Sequence, residues 1–196
     1  MGDNERQIVS RILNNDRDAF RLLIEQYQQL VMHIVFRMVQ DARDREELTQ
    51  DVFLKVHKYL KGFRHESKLS TWIARIAYNA CLNHLEKKKL LLYEDEAGTN
   101  EWSEAEAILD ISNEDANPEE LMIFTDVRTV VHKAVEQLPV IPRTVLTLFY
   151  LDEMSVQEIA EVIDAPTGTV KSYLFRGRKQ LKAYIIAKYK PEMLSI

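Results

Sequence analysis

Two groups of side chains in this sequence have the chemistry to handle nucleic acid. Toward the C-terminus, Lys171, Ser172, Arg176 and Lys179 are spaced so that one helix turns them outward together. Ammonium, guanidinium and hydroxyl groups are the donors that phosphates and base edges accept from. Earlier in the chain, Thr71, Arg75, Tyr78, Asn79 and Asn83 gather on one side of another helix, next to a basic loop, Phe63-Arg64-His65-Glu66-Ser67-Lys68-Leu69. Aromatic rings stack on single-stranded bases, and amides pair with their edges. Each group also has a plainer reading. The first is then a solvated basic face, and in the second Trp72 and Tyr78 are core residues while Lys87, Lys88 and Lys89 simply favour a helix C-terminus.

The first group is positioned by Ser155 to Leu181, SVQEIAEVIDAPTGTVKSYLFRGRKQL. Ser155 and Glu158 form an S-x-x-E capping box, in which each side chain serves the other's backbone N–H. Ile159, Ala160, Val162 and Ile163 follow with helical spacing. Asp164, Ala165 and Pro166 stop that helix, because Pro lacks an N–H and disfavours helical geometry in its predecessor. Thr167 is the expected N-cap of a second helix, with Val170, Leu174, Gly177 and Leu181 along one stripe. A basic second helix after a tight turn is the pattern of a helix-turn-helix, whose second helix enters a DNA major groove. It is also the pattern of an ordinary helical hairpin.

The elements that must position the second group come earlier. Asp16 to Gln40 predicts a long amphipathic helix, capped by Asp16 or Asp18, with Phe20, Leu23, Tyr27, Leu30, Ile34 and Met38 on one stripe. A helix from Asp44, with Glu47 as its capping partner, carries Leu48, Val52, Phe53, Val56 and Leu60 on its apolar side. Its other side, Glu46, Glu47, Gln50, Asp51, Lys55 and Lys58, is either solvated or a protein-docking face, and the pattern alone favours solvation. Gly62 ends it, and Ser70 is the expected cap of a third helix, Thr71 to Lys89, which can pack Trp72, Ile73, Ile76, Ala77, Ala80 and Leu85 inward. Asn117, Pro118, Glu119 and Glu120 announce a helix through Leu121, Phe124, Val127, Val131 and Val135 to Leu138. Pro139 breaks it, Pro142 opens another from Arg143 to Tyr150, and a tail helix continues to Lys190.

Composition bounds the class. In 196 residues there are only five Gly and five Pro, which points to an all-helical protein of one or two small domains. The single Cys, Cys81, excludes an internal disulfide and suits a reducing cytoplasm. MGDNERQIVS has no apolar core of a secretory signal, and Arg6 breaks the myristoylation pattern. No apolar run is long enough to span a bilayer. The formal net charge of −5 looks wrong for a nucleic-acid binder, but Tyr93 to Glu120 holds 11 acidic residues and no Lys or Arg. Without that stretch 26 basic residues face 20 acidic ones, a net of +6. Cys81 and His84 have ligand-like spacing, yet two ligands do not make a zinc site. No catalytic constellation, metal site or cofactor motif is expected.

Two blocks of this sequence resemble one family. Asp44 to Val56 (DREELTQDVFLKV) with Phe63 to Leu85 (FRHESKLSTWIARIAYNACLNHL) is similar to region two of the extracytoplasmic-function (ECF) sigma factors. The PEEL…LP…SVQEIAEVI…PTGTVKSYLFRGRKQL pattern, Pro118 to Leu181, is similar to their region four. The resemblance implies a bacterial promoter-specificity subunit of RNA polymerase, not an enzyme, with a region-two domain at 1–92, an acidic flexible linker at 93–117 and a region-four domain at 118–196. It implies contacts to core polymerase from Glu46, Glu47, Gln50, Asp51, Phe53, Leu54 and Lys55. Arg64, His65, Ser67, Lys68, Ser70, Thr71, Trp72, Arg75 and Asn79 would bind and melt minus-ten DNA, holding a flipped base as a single strand. Thr167, Thr169, Lys171, Ser172, Tyr173, Arg176 and Lys179 would bind duplex at the minus-thirty-five element. The implied partners are core RNA polymerase, promoter DNA and an anti-sigma factor; the free chain would be a cytoplasmic monomer. The sequence departs from the family at Asp164, where Gly is frequent and the turn must adopt a left-handed or altered geometry that Asp tolerates less well than Gly, at Tyr173 and Phe175, and at Asn83. The competing classes are a stand-alone dimeric helix-turn-helix regulator and a sigma mimic that sequesters a regulator.

Overall fold

The computed structural model describes residues 3–95 and 127–188, which form helices and, among the described residues, no strand. In chain order they are α1 (Asp3–Leu13), α2 (Arg17–Met38), α3 (Ala42–Tyr59), α4 (Leu69–Asp95), α5 (Val127–Glu136), α6 (Val140–Tyr150), α7 (Val156–Val162) and α8 (Thr167–Lys188). A 3-10 turn, Leu60–Gly62, follows α3. α1, α3 and α4 pack around α2, while α5, α6 and α7 pack around α8. The expected all-helical architecture of two small bundles is present. The bundles are not held apart, however: α2 also packs on α6 and α4 on α7, so their buried side chains form one continuous core.

Local chemistry explains most helix ends. Asp16 caps α2, its carboxylate accepting from Ala19 N–H at 3.0 Å. Of the expected stripe, Leu23, Tyr27, Leu30, Ile34 and Met38 are buried and Phe20 is half-buried. α3 begins two residues before the expected Asp44, because Asp41 accepts from Arg43 N–H at 2.8 Å and Asp44 N–H at 3.1 Å. These backbone bonds hold the carboxyl groups of Asp16 and Asp41 below the usual carboxylate range. Leu48, Val52, Phe53, Val56 and Leu60 are all buried as their spacing predicts.

Other boundaries moved. α1 carries no strong sequence signal; it is held by Val9 and Ile12, which are buried in the same core, as tertiary packing often does for short helices. Ser70 is not the cap of α4, which starts at Leu69 with Lys68 O accepting from Trp72 N–H at 3.1 Å. α4 runs on to Asp95 rather than ending at Lys89. The Asn117-Pro118 helix start and most of the acidic stretch lie outside the described residues. In α5 the buried stripe is Val130, Ala134 and, just beyond, Leu138, whereas Val131 of the expected stripe is 39% exposed. α6 opens at Val140 with Pro139 at its cap, so Pro142 sits inside the first turn, where its missing N–H costs nothing.

Candidate nucleic-acid interface

The helix-turn-helix is assembled by short-range rules. Ser155 N–H donates to Glu158 Oε2 at 2.8 Å and Glu158 N–H to Ser155 Oγ at 3.2 Å, completing the capping box. Ile159, Ala160 and Val162 are buried and Ile163 is half-buried. Asp164 adopts φ 50°, the left-handed geometry that the turn demands and that short polar side chains tolerate best after Gly. Thr167 is the first residue of α8 and not its cap; Pro166 O accepts from Thr169 N–H at 2.9 Å instead. Val170, Leu174 and Gly177 are buried and Leu181 is half-buried. Gly177 is required by close packing: a Cβ there would lie 2.8 Å from Leu146 Cδ1 of α6.

The opposite side of α8 carries the residues expected to meet duplex DNA. Lys171, Arg176 and Lys179 are exposed, and Ser172, Thr167 and Thr169 are half-buried. Arg176 is oriented by Ser172 Oγ, which accepts from its Nε at 3.1 Å and its Nη2 at 2.8 Å. Phe175 stands 69% exposed beside them. Tyr173, half-buried, instead packs against the core near Tyr78 of α4.

The second surface is built across the two bundles. Phe63 is buried, with the His65 ring 4.6 Å and the Trp72 ring 5.3 Å from its centroid, and His65 takes φ 58° to make the bend. Arg64, Lys68, Arg75 and Asn79 are exposed; Ser67, Ser70 and Trp72 are half-buried. The expectation that Thr71 and Tyr78 join this polar side is corrected: they are 2% and 3% exposed. Burial pushes the Tyr78 hydroxyl up to about 12 and the Cys81 thiol also to about 12. A thiol so raised is a core group, and His84 is engaged elsewhere, its Nε2 3.2 Å from Asp44 Oδ2.

Sequence reasoning missed what faces this surface. Lys68 Nζ lies 2.7 Å from Glu158 Oε1 of α7. The bond raises the Lys68 ammonium pKa, and for Glu158 it combines with the Ser155 bonds to outweigh burial and leave the carboxyl lowered. A second bridge joins His33 Nδ1 of α2 to Asp152 Oδ1 at 2.8 Å. Glu158 was readable only as a capping partner; nothing local signals a basic residue so far upstream.

On α3, Glu46, Glu47, Gln50 and Asp51 are exposed and Lys55 is half-buried. Leu54 is 67% exposed among them, whereas Phe53 turns into the core at 7%.

The surfaces coincide with two family descriptions: Sigma-70 region 2 matches residues 23–90, and Sigma-70 region 4 matches residues 128–181. The chain is 34% identical over 182 residues to the RNA polymerase sigma-H factor of Pseudomonas aeruginosa, covering 91% of this chain and 92% of the relative. It is 34% identical over 180 residues to the ECF RNA polymerase sigma-E factor of Escherichia coli K12, covering 90% and 92%. Among solved structures, CnrH in complex with the cytosolic domain of CnrY aligns with a TM-score of 0.64 at 18% identity, covering 95% of this chain and 99% of that one. The sigma factor RpoE in complex with the anti-sigma factor NepR from Bartonella quintana aligns at 0.63 and 18%, covering 86% and 98%. Two regions in this order, and 34% identity along most of the chain to relatives of both names, place this chain in the ECF sigma factors of bacterial RNA polymerase.

Proposed function

We propose that this sigma factor divides promoter recognition between the two surfaces and docks on core polymerase through α3. The exposed Leu54, on the side of α3 that also carries the exposed Glu47, Gln50 and Asp51, is the observation that carries the docking assignment. α8 enters the major groove at the minus-thirty-five element. Arg176, pre-oriented by Ser172, offers a fork for a guanine edge or a phosphate, while Lys171 and Lys179 neutralise backbone charge. Thr167 and Thr169 at the start of α8 suit phosphate, and exposed Phe175 suits a thymine methyl. The Phe63–His65–Trp72 cluster with Arg64, Lys68, Arg75 and Asn79 handles the melted minus-ten strand. Unstacking costs a few kcal/mol per step, and stacking on aromatics worth about 1–3 kcal/mol per base offsets it. Thr71 acts from beneath that surface as a packing residue.

The chain performs no bond-making chemistry of its own; polymerase does. It works where polymerase works, in the cytoplasm, and among the described residues no helix is long and apolar enough to cross a membrane. An anti-sigma protein would regulate it by holding the two bundles together, since the reading surface of α4 already faces α7. The deciding experiment is run-off transcription with core polymerase on genomic fragments, alongside band shifts of promoter duplex. Start sites that appear only with this chain support the reading. Tight, sequence-specific duplex binding by the free chain without polymerase would instead make it a stand-alone regulator.

A further inference from the structure

The seam between the bundles also contains a cluster that promoter recognition does not use. A cavity of about 240 Å³ opens there, lined by Phe36, Arg37, Gln40, Arg45, Glu136 and Arg143. Three guanidinium groups share it with one carboxylate, a formal net of +2. Arg45 is braced from behind: its Nε donates to Val39 O at 2.6 Å and its guanidinium carbon sits 4.7 Å from the Phe36 ring centroid. Arg143 is only 6% exposed; its Nη1 donates to Glu136 O at 3.1 Å, and none of the described residues accepts from its buried Nε. Burial holds Arg37 and Arg143 below the usual guanidinium range; at Arg37 the Glu136 carboxylate opposes it more than Arg45 adds, while at Arg143 the Arg37 charge reinforces it beyond what Glu136 offsets.

Packing three like charges into a partly buried concavity costs free energy, and an anion with several acceptor oxygens relieves it. Guanidinium forks fit tetrahedral oxyanions, and low-dielectric walls focus the positive potential inward. The cavity falls short of the ~300–1,000 Å³ typical of drug-sized ligands, which selects a compact anion. A singly charged one would leave the pocket positive.

We propose that this seam pocket binds the phosphate groups of a small, multiply charged phosphate anion through Arg37, Arg45 and Arg143. Because α2 and Arg45 of α3 form one wall, and Glu136 and Arg143 of α5 and α6 the other, occupancy favours the closed packing of the two bundles.

The test is calorimetric titration of the full chain with sodium pyrophosphate at constant ionic strength, with sodium chloride as control. Saturable one-site binding is expected, weakened about tenfold or more by Arg37→Gln and by Arg45→Gln, as loss of a charge-assisted bond implies. Glu136→Gln removes a repelling charge and should tighten binding severalfold, an opposite sign that a packing role for the cluster would not produce. Circular dichroism checks that each variant is folded. A parallel titration with adenosine triphosphate separates the sources: equal affinity assigns a free phosphate anion, tighter binding with the same arginine dependence assigns a nucleotide. Absence of saturable pyrophosphate binding at millimolar concentration, or binding indifferent to all three substitutions, overturns the proposal.

Discussion

The two surfaces assigned to DNA differ in how they are made. On α8 the residues proposed to read duplex project from a helix whose cap, turn and buried stripe all lie within Ser155 to Leu181, and its basic side faces open water. On α4 the corresponding surface is assembled from a loop, a helix and the bundle opposite, with Lys68 drawn into a bond to Glu158 and Thr71 and Tyr78 buried. One surface is therefore ready in the free chain, and the other is partly engaged internally. A reader that is open but modest in charge can find duplex first.

The sharpest way to break this comparison is to remove one reader at a time in run-off transcription. Arg176→Ala should lower initiation about tenfold at a promoter carrying a minus-thirty-five element, since a bidentate base contact is worth about 1–3 kcal/mol. Asn79→Ala should leave closed-complex formation intact and reduce strand opening, measured by permanganate reactivity of unpaired thymines. Equal defects at both steps for both variants would dissolve the division of labour.

Next in size is the foundation of α8. Gly177→Leu forces a side chain onto Leu146, and overpacking of this kind costs about 1–3 kcal/mol in thermal or urea unfolding. A variant as stable as the parent would show that α6 and α8 can separate cheaply. Smaller is the effect of Lys68→Ala. An ion pair with one largely exposed partner is screened by solvent, so stability should barely change. Amide hydrogen exchange in the first turn of α4 and in α7 should nevertheless quicken together; exchange that rises in one helix alone would argue against a shared seam.

The smallest expected change is in pH dependence. Asp41 has its carboxyl held below the ordinary 3.8 by backbone N–H bonds. The stability it contributes is present above about 3.8 and is lost as pH falls through the lowered folded value. Asp41→Asn keeps a good cap without the titration, so its stability curve below pH 4 should be flatter than the parent's. A parallel acid limb would remove Asp41 from the account.

How legible the molecule was follows from the range of each interaction. Ser155 with Glu158, Asp16 with Ala19 and the left-handed Asp164 act within four residues; the sequence showed the first, and narrowed the others to Asp16 or Asp18 and to a left-handed or altered turn. Boundaries slipped where another candidate stood nearby, as with Asp41 for Asp44 and Lys68 for Ser70. Faces slipped where both sides of a helix are partly apolar: Thr71 and Tyr78 read as polar partners, and Val131 read as core in place of Val130 and Ala134.

By itself the sequence determined the helical class, the two short helices from Ser155 to Leu181 and the segregation of charge, because caps, periodicity and composition are local properties of the chain, while the family came from the resemblance of two motif blocks. Only the tertiary structure decided that the bundles close on each other. His33 meets Asp152 119 positions away, Lys68 meets Glu158, and three arginines from separate helices line one cavity. Such encounters depend on how apolar faces of whole helices fit together, and no spacing of residues along the chain encodes which charges that fit will bring within reach.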